Sequence, residues 1–240
     1  MADLQDKQTS VQTAVYNALK NNIMSLQLKP GSTMSTQEIA TKLSVSRTPV
    51  REAFIRLQRD GLLIIYPQKE TIVSKINLQR VKQERFIRES LECGVLELLL
   101  AKVTDTDIAR IKENILLQEK VIAEQDHYKI VSLDNLFHEM LFTIAGQPLS
   151  WETITNVSNH YSRVRMMTAW TQNVQQKTLM EHKELLTFIE EKNLSSAKEH
   201  MKKHLHQLES EIKDIVTEYP DYFEKEQLSI ESRFDLLLSL

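Results

Sequence analysis

Leu43-Ser44-Val45-Ser46-Arg47-Thr48-Pro49-Val50-Arg51-Glu52-Ala53-Phe54-Ile55-Arg56-Leu57 is the stretch that decides how this chain reads. From Val50 onward, Val50, Ala53, Phe54 and Leu57 recur at i, i+3, i+4 and i+7, so one face of a helix is apolar and the other polar. Ser46 or Thr48 can cap the free amides at its start, and Pro49 falls in a first turn where its missing N–H has no partner to lose. Arg47 and Arg51 lie one turn apart, with the hydroxyls of Ser44, Ser46 and Thr48 beside them. Such a set can hold phosphates and reach guanine edges, although a basic pair on a helix can also simply face solvent. Upstream, Ser35-Thr36-Gln37-Glu38-Ile39-Ala40-Thr41-Lys42-Leu43 carries a hydroxyl cap and apolar Ile39, Ala40 and Leu43. The two segments, joined by a short Ser-Val-Ser break, predict a helix-turn-helix whose second helix enters the major groove of DNA.

On the N-terminal side, Val11, Val15, Ala18, Leu19 and Ile23 form one stripe and predict a first packing helix. Leu28-Lys29-Pro30-Gly31 is expected to stop it, since Pro30 disfavours a helical residue before it and Gly31 readily takes positive φ. On the C-terminal side, Asp60-Gly61 closes the second helix of the pair. Leu62-Leu63-Ile64-Ile65-Tyr66 and Thr71-Ile72-Val73-Ser74 read as a strand and its return, with Pro67-Gln68-Lys69-Glu70 as the connecting wing.

Leu28-Lys29-Pro30-Gly31, Ser46-Arg47-Thr48-Pro49-Val50-Arg51-Glu52-Ala53, Arg56-Leu57 and Asp60-Gly61-Leu62 together resemble the winged-helix domain of GntR-family bacterial transcription regulators, over about residues 10 to 75. The resemblance implies DNA contacts from Gln37, Ser46, Arg47, Thr48, Pro49 and Arg51, and from Gln68 and Lys69 at the wing. At the wing the chain departs from the family, with Lys69 and Glu70 where an arginine and a glycine are usual. Glu70 should weaken attraction for phosphate there.

The chain has 240 residues, of which 41% are hydrophobic and 26% charged, enough to bury a sizeable core and to form two domains. Cys93 is the only cysteine, which excludes an intrachain disulfide. No apolar run approaches the roughly 20 residues that span a bilayer, so no membrane partner is expected. Met1 to Thr9 holds no apolar signal core, which predicts a cytoplasmic location. The net charge of −3 hides an asymmetry: residues 1–75 hold ten Lys or Arg against six Asp or Glu, whereas residues 76–240 hold twenty against twenty-seven. A net +4 is modest, so DNA affinity should come from local placement, two copies per dimer and counterion release.

Beyond Asn77 helical periodicity continues to Glu218, with breaks at Thr104-Asp105-Thr106-Asp107, Gly146-Gln147-Pro148 and Lys192-Asn193. With four glycines in the whole chain, this half is expected to be a helical bundle. The predicted fold is thus mainly α: a winged helix-turn-helix domain over residues 1–75, and an all-helical effector-binding and dimerisation domain over 76–220. A tail over 221–240 is charged at first and could end in a short amphipathic helix; no function follows from it.

In the second half, Asp134 and His138 stand at i and i+4, on one helix face. His182 opens one later amphipathic helix and His204 lies in the next. Three imidazoles and a carboxylate converging in a bundle suit a borderline transition metal such as zinc, nickel or manganese, zinc being the first expectation. The spacing resembles the metal-binding FCD effector domain of the FadR subfamily, over roughly residues 80 to 215, and that resemblance implies all four as ligands. It further implies that Arg88 reaches the carboxylate of an organic ligand. Arg163 and Arg165, whose guanidiniums can hold a carboxylate bidentately, are read from the residues themselves as adding to that positive pocket. His127, His160, His200 and His206 are read as ordinary surface or satisfied histidines, and Met166, Met167, Trp170 and Phe188 as core or pocket lining.

The expected function is a homodimeric regulator, usually a repressor, released from an inverted-repeat operator by a small organic carboxylate such as a sugar acid. Two alternatives stay open. One is a regulator responding to the metal itself. The other is a metal-dependent hydrolase with Glu139 as base, which the lack of any nucleophile motif or phosphate loop argues against, so no enzyme activity is expected.

Overall fold

The computed structural model describes residues 2–67 and 69–225. The N-terminal third runs α1 (Ala2–Met24), β1 (Thr33–Met34), α2 (Thr36–Leu43), α3 (Arg47–Arg59), β2 (Leu63–Ile65) and β3 (Thr71–Val73). The apolar stripe of α1 meets that of α3: Val15, Leu19 and Ile23 share one core with Ile39, Val50, Phe54, Leu57, Leu62 and Val73. Ser35 caps α2 by accepting from the Glu38 N–H at 3.1 Å, and Ser44 closes it in the left-handed region. β1, β3 and β2 lie in that order in an antiparallel sheet, with Ile72 paired to both Thr33 and Ile64. This is a winged helix-turn-helix.

Three details differ from the sequence reading. α1 ends at Met24, before Pro30, because Leu26 turns the chain at φ 63°. Ser46 begins α3 in an extended conformation, but its hydroxyl makes no capping hydrogen bond. β1 is an element too short for any period to reveal.

The rest is helical: α4 (Leu78–Lys102), α5 (Asp105–Glu124), α6 (His127–Ala145), α7 (Pro148–Val157), α8 (Asn159–Thr168), α9 (Gln172–Glu190) and α10 (Leu194–Glu218), ending in a 3-10 turn at Pro220–Tyr222. Thr104 and Asp107 form a capping box at the start of α5, Gly146 takes φ 76° after α6, and Asn193 caps α10. The buried faces of α4, α5, α6, α7, α9 and α10 make one large apolar core, which includes Leu96, Leu99, Ile111, Phe137, Leu141, Leu185 and Met201.

A third, smaller core joins the two halves. Ile76, Val81, Tyr161, Val164, Met167, Leu208 and Phe223 pack together there. The segment after α10 straps the linker: Ile76 N–H donates to the Tyr222 carbonyl at 2.8 Å, and Glu224 N–H donates to the Ile76 carbonyl at 2.9 Å. Residues 226–240 of the expected tail lie outside the described residues.

Candidate functional site

Asp134 and His138 project from one face of α6, His182 from α9 and His204 from α10. Ligand atoms of all four lie within 4.8 Å of one another. His138 Nε2 is 3.3 Å from His204 Nε2 and 3.9 Å from Asp134 Oδ2, and His182 Nε2 is 3.7 Å from Asp134 Oδ1. His138 and His182 are fully buried.

What orients the rings is a second ring of acceptors. His138 Nδ1 faces Glu92 Oε2 at 2.6 Å, His182 Nδ1 faces Gln118 Oε1 at 2.8 Å, and His204 Nδ1 faces Glu181 Oε2 at 2.8 Å. The acceptor at each Nδ1 fixes its ring so that the Nε2 turns toward the centre. Gln118 is itself fixed, donating to Asn114 Oδ1 at 2.6 Å, while Asn114 donates to the Leu133 carbonyl. Phe137 stacks on the His182 ring at 4.0 Å. Sequence reading missed Glu92, Gln118, Asn114 and Glu181; only Glu92 left a trace, standing i+4 from Arg88.

The electrostatics keep the quartet ready for a cation. Burial pushes the His138 imidazole down to about 4, against the partial opposition of Glu92, and pushes His182 well below its usual value. Burial alone would raise the Asp134 carboxyl, but Arg165, then His138 and His182, hold it well below the usual carboxylate range. At neutral pH the set is thus two buried neutral imidazoles and a carboxylate. His182 Nε2 is buried and has no hydrogen-bond partner among the described residues. A buried orphan lone pair among three other donors is what a metal-ligand set looks like before the ion is considered.

Arg88, 2% exposed, lies beside the quartet between the rings of Trp151 and Tyr161. Its Nε donates to Glu92 Oε1 at 2.5 Å, and its Nη2 has no partner among the described residues. Arg165 reaches the same place, donating to Asn135 Oδ1 at 2.8 Å and to Asp134 Oδ2. Arg88, Asp134, Tyr161, Arg165 and His204 line a cavity of about 80 Å³. Arg163 is a correction. It is fully buried on the opposite side of α8, where it donates to the Ser74 carbonyl at 2.5 Å and to the Asn159 carbonyl at 3.2 Å, so it belongs to the joint between the halves and lines no part of this pocket.

At the other end of the molecule, Gln37, Ser46, Arg47, Thr48 and Arg51 are exposed around the start of α3. Arg47, Thr48 and Arg51 line an open groove of about 720 Å³ together with Gln58 of α3 and Thr71 of the wing. Neither arginine is in an ion pair among the described residues. Pro49 is a second correction: it is buried in the packing of α3, so it shapes the helix start and offers no surface to DNA. Lys69 is exposed at the wing turn, where its N–H donates to the Tyr66 carbonyl. Gln68 lies outside the described residues.

Comparison with known proteins agrees with both halves. Residues 11–73 match the family described as bacterial regulatory proteins, gntR family, and residues 85–207 match the FCD domain. The chain is 30% identical over 216 residues to the HTH-type transcriptional repressor RspR of Escherichia coli K12, covering 90% of this chain and 95% of the relative. Among solved structures, E. coli McbR/YncC superposes with a TM-score of 0.72 at 21% identity, over 87% of this chain and 98% of that one. A GntR regulator from Rhodococcus sp. RHA1 gives 0.71 at 23% identity, over 85% and 98%. At these identities the two structures speak for the fold.

Proposed function

This chain belongs to the GntR family of bacterial regulatory proteins and carries an FCD domain, and from that premise we propose that it is a repressor released from DNA by a small organic acid. It is a DNA-binding transcription regulator, and its relatives are regulators rather than enzymes, so the hydrolase alternative falls. In this reading residues 1–75 hold the operator, residues 76–220 sense the ligand and form the homodimer, and the operator is an inverted repeat in the cytoplasm. A relative named as a repressor supports the sign of the response.

The observation that carries the reading is the convergence of Asp134, His138, His182 and His204 beside an arginine with an unspent donor, Arg88 Nη2. The four would hold a divalent transition ion, zinc first, which when bound supplies a Lewis-acidic anchor for an acid oxygen. Arg88 neutralises the ligand's charge and orients its carboxylate. The unspent guanidinium also favours an organic anion over the metal as sole signal, because a metal alone would leave it buried and unsatisfied. Ligand and metal then bias the spacing of the two DNA-binding domains.

The test is operator release by organic acids, run alongside metal analysis. His182→Ala and His204→Ala are expected to lose bound zinc and to stay on the operator when acid is added. Full zinc content with a normal response in both variants would remove the site.

A further inference from the structure

The linker between the two halves is gripped rather than free. Residues 11–73 and 85–207 carry the family matches, so the linker and the chain after Gln207 belong to neither matched domain. Relative motion of two domains is the default unless something holds their joint. Ser74 is held by its neighbours on both sides: its N–H donates to the Leu62 carbonyl at 3.0 Å, and its carbonyl accepts from Arg163. Both backbone polar groups of Ile76 go instead to the strap, to the Tyr222 carbonyl and the Glu224 N–H, in a parallel bridge with Phe223. The Asn77 side chain completes the grip, accepting from the Arg80 N–H at 2.9 Å to start α4 and donating to Glu224 Oε2 at 2.5 Å.

The strap is an extension of α10. That helix carries His204 at the quartet, puts Leu205 into the large core and Leu208 and Ile215 into the core of the joint, and ends at Glu218, about 20 Å beyond His204 at 1.5 Å per residue. The chain then turns through Pro220–Tyr222 and buries Phe223 in the same joint core as Leu26 of the winged half, Ile76 of the linker and Val164 of α8. Asp221 lies over the turn at Gly31, its carbonyl 3.8 Å from where a Cβ on that glycine would stand. One rod thus has a quartet residue near its middle and a grip on the linker at its end. Only Ser74 and Lys75 separate that grip from β3.

We propose that Pro220–Glu224 is a coupling clasp: closed, it makes the linker part of the helical half and passes the state of α10 to the wing sheet, and open, it lets the winged half move independently. α8 offers a rival route, since Arg165 meets Asp134 and Arg163 meets Ser74 on one helix. But α8 is buried along most of its length, so it cannot leave the linker without dismantling the core. The strap is a single extended segment with Pro220, Asp221 and Glu224 exposed, held by three hydrogen bonds and one buried ring. Such a segment can open locally while every helix stays formed, which is what a two-state coupling element needs. The coupling, though not the clasp itself, rests on the reading of the quartet as an ion site.

The test is amide hydrogen exchange read by mass spectrometry on the full-length native chain, Phe223→Ala, Glu224→Pro and Glu224→Ala, each with and without zinc. Glu224→Pro removes the N–H that serves Ile76, and the residue before it already has the extended backbone a proline requires, φ −104° and ψ 150°. Glu224→Ala keeps that N–H and loses only the bond to Asn77. Without zinc, Phe223→Ala and Glu224→Pro are expected to speed exchange of the linker peptide around residues 74–77 by about tenfold or more, Glu224→Ala by much less, with peptides of the large core unchanged. Zinc is expected to slow the linker peptide of the native chain, although none of the quartet lies on it. That slowing should vanish in Phe223→Ala and Glu224→Pro at unchanged zinc stoichiometry. Linker exchange that is the same in both variants as in the native chain overturns the clasp. A zinc effect that is absent from a zinc-loaded native chain, or that survives both variants, overturns the coupling, and in the second case α8 is the route. A native chain that takes up no zinc removes the ion site instead, and the clasp then stands or falls on the zinc-free exchange.

Discussion

Glu92 puts one oxygen on the Arg88 guanidinium and the other on the His138 imidazole, so one fully buried carboxylate holds both the arginine and a ring of the quartet in place. Burial opposes its charge, but Arg88 and then His138 prevail and keep it ionised. Glu92→Gln removes the charge while keeping the shape, and zinc affinity is expected to fall about 10- to 100-fold, read by competition with a chelating dye. Unchanged affinity would show that the His138 ring is held by packing alone. At the DNA end, Arg47→Ala and Arg51→Ala should each lose about 1–3 kcal/mol of operator affinity in a gel-shift titration, with melting unchanged because both side chains are exposed. A double variant that binds operator normally would remove α3 from the interface. Residue by residue, the sequence was legible where chemistry demands a residue type. Asp134, His138, His182 and His204 stand out because a ligand set needs those types, and they do lie together. Glu92, Gln118 and Glu181 did not, because an acceptor for Nδ1 can come from any helix that passes nearby.

Among the elements, α8 is the one that faces two ways. Arg163 and Arg165 are two residues apart, and positions i and i+2 on a helix point to different sides. Arg165 therefore meets Asp134 while Arg163 meets Ser74, and the pairing of the two arginines in one pocket fails for that geometric reason. His160, one turn earlier, accepts the Asn77 N–H on Nδ1 at 3.1 Å, and the Arg163 Nη2 is 3.2 Å from the same atom. Burial, then Arg163 and Arg80, push this imidazole from 6.5 down to about 4. As pH falls through 6.5 the unfolded chain takes up the proton first, so stability is full above 6.5 and drains away toward about 4. The pH profile of melting for the native protein minus that for His160→Gln is expected to slope upward between those limits; a flat difference would place His160 outside the joint's energetics. Helix ends were legible where glycine, proline or a capping box marks them, as at Gly146 and Thr104. The breaks at Gln125, Ser158 and Ala169 were not. Gln125 takes φ 58° with no glycine to announce it, and α7 and α8 end at Ser158 and Ala169 with no glycine or proline there to mark the stop.

For the whole molecule, one winged domain makes too few contacts for a useful specificity ratio, and two related by a two-fold axis on an inverted repeat remedy this. Light scattering is expected to give about twice 27.9 kDa, and a monomer at micromolar concentration would refute the dimer. Stripping zinc should lower the melting temperature by roughly 10 °C when the free ion had stood near a thousand times its Kd, and an unchanged melt after confirmed metal loss would mean the quartet is no ion site. The passage from winged helix-turn-helix to helical bundle was legible because hydrophobic period and net charge both change near residue 75. The strap was not, since nothing in Tyr222-Phe223-Glu224 announces a bridge to Ile76 nearly 150 residues away. That strap has a consequence for manufacture. The core of the winged half is drawn from residues 15 to 73 alone, so it is complete early on the ribosome, whereas the linker is clasped only once Glu224 has been made. At about 5–20 residues per second the interval is roughly 8 to 30 seconds. During it the nascent chain displays a DNA-reading helix whose helical partner domain is still unfinished, and a product that stops short within it would carry the DNA-binding half without the rest.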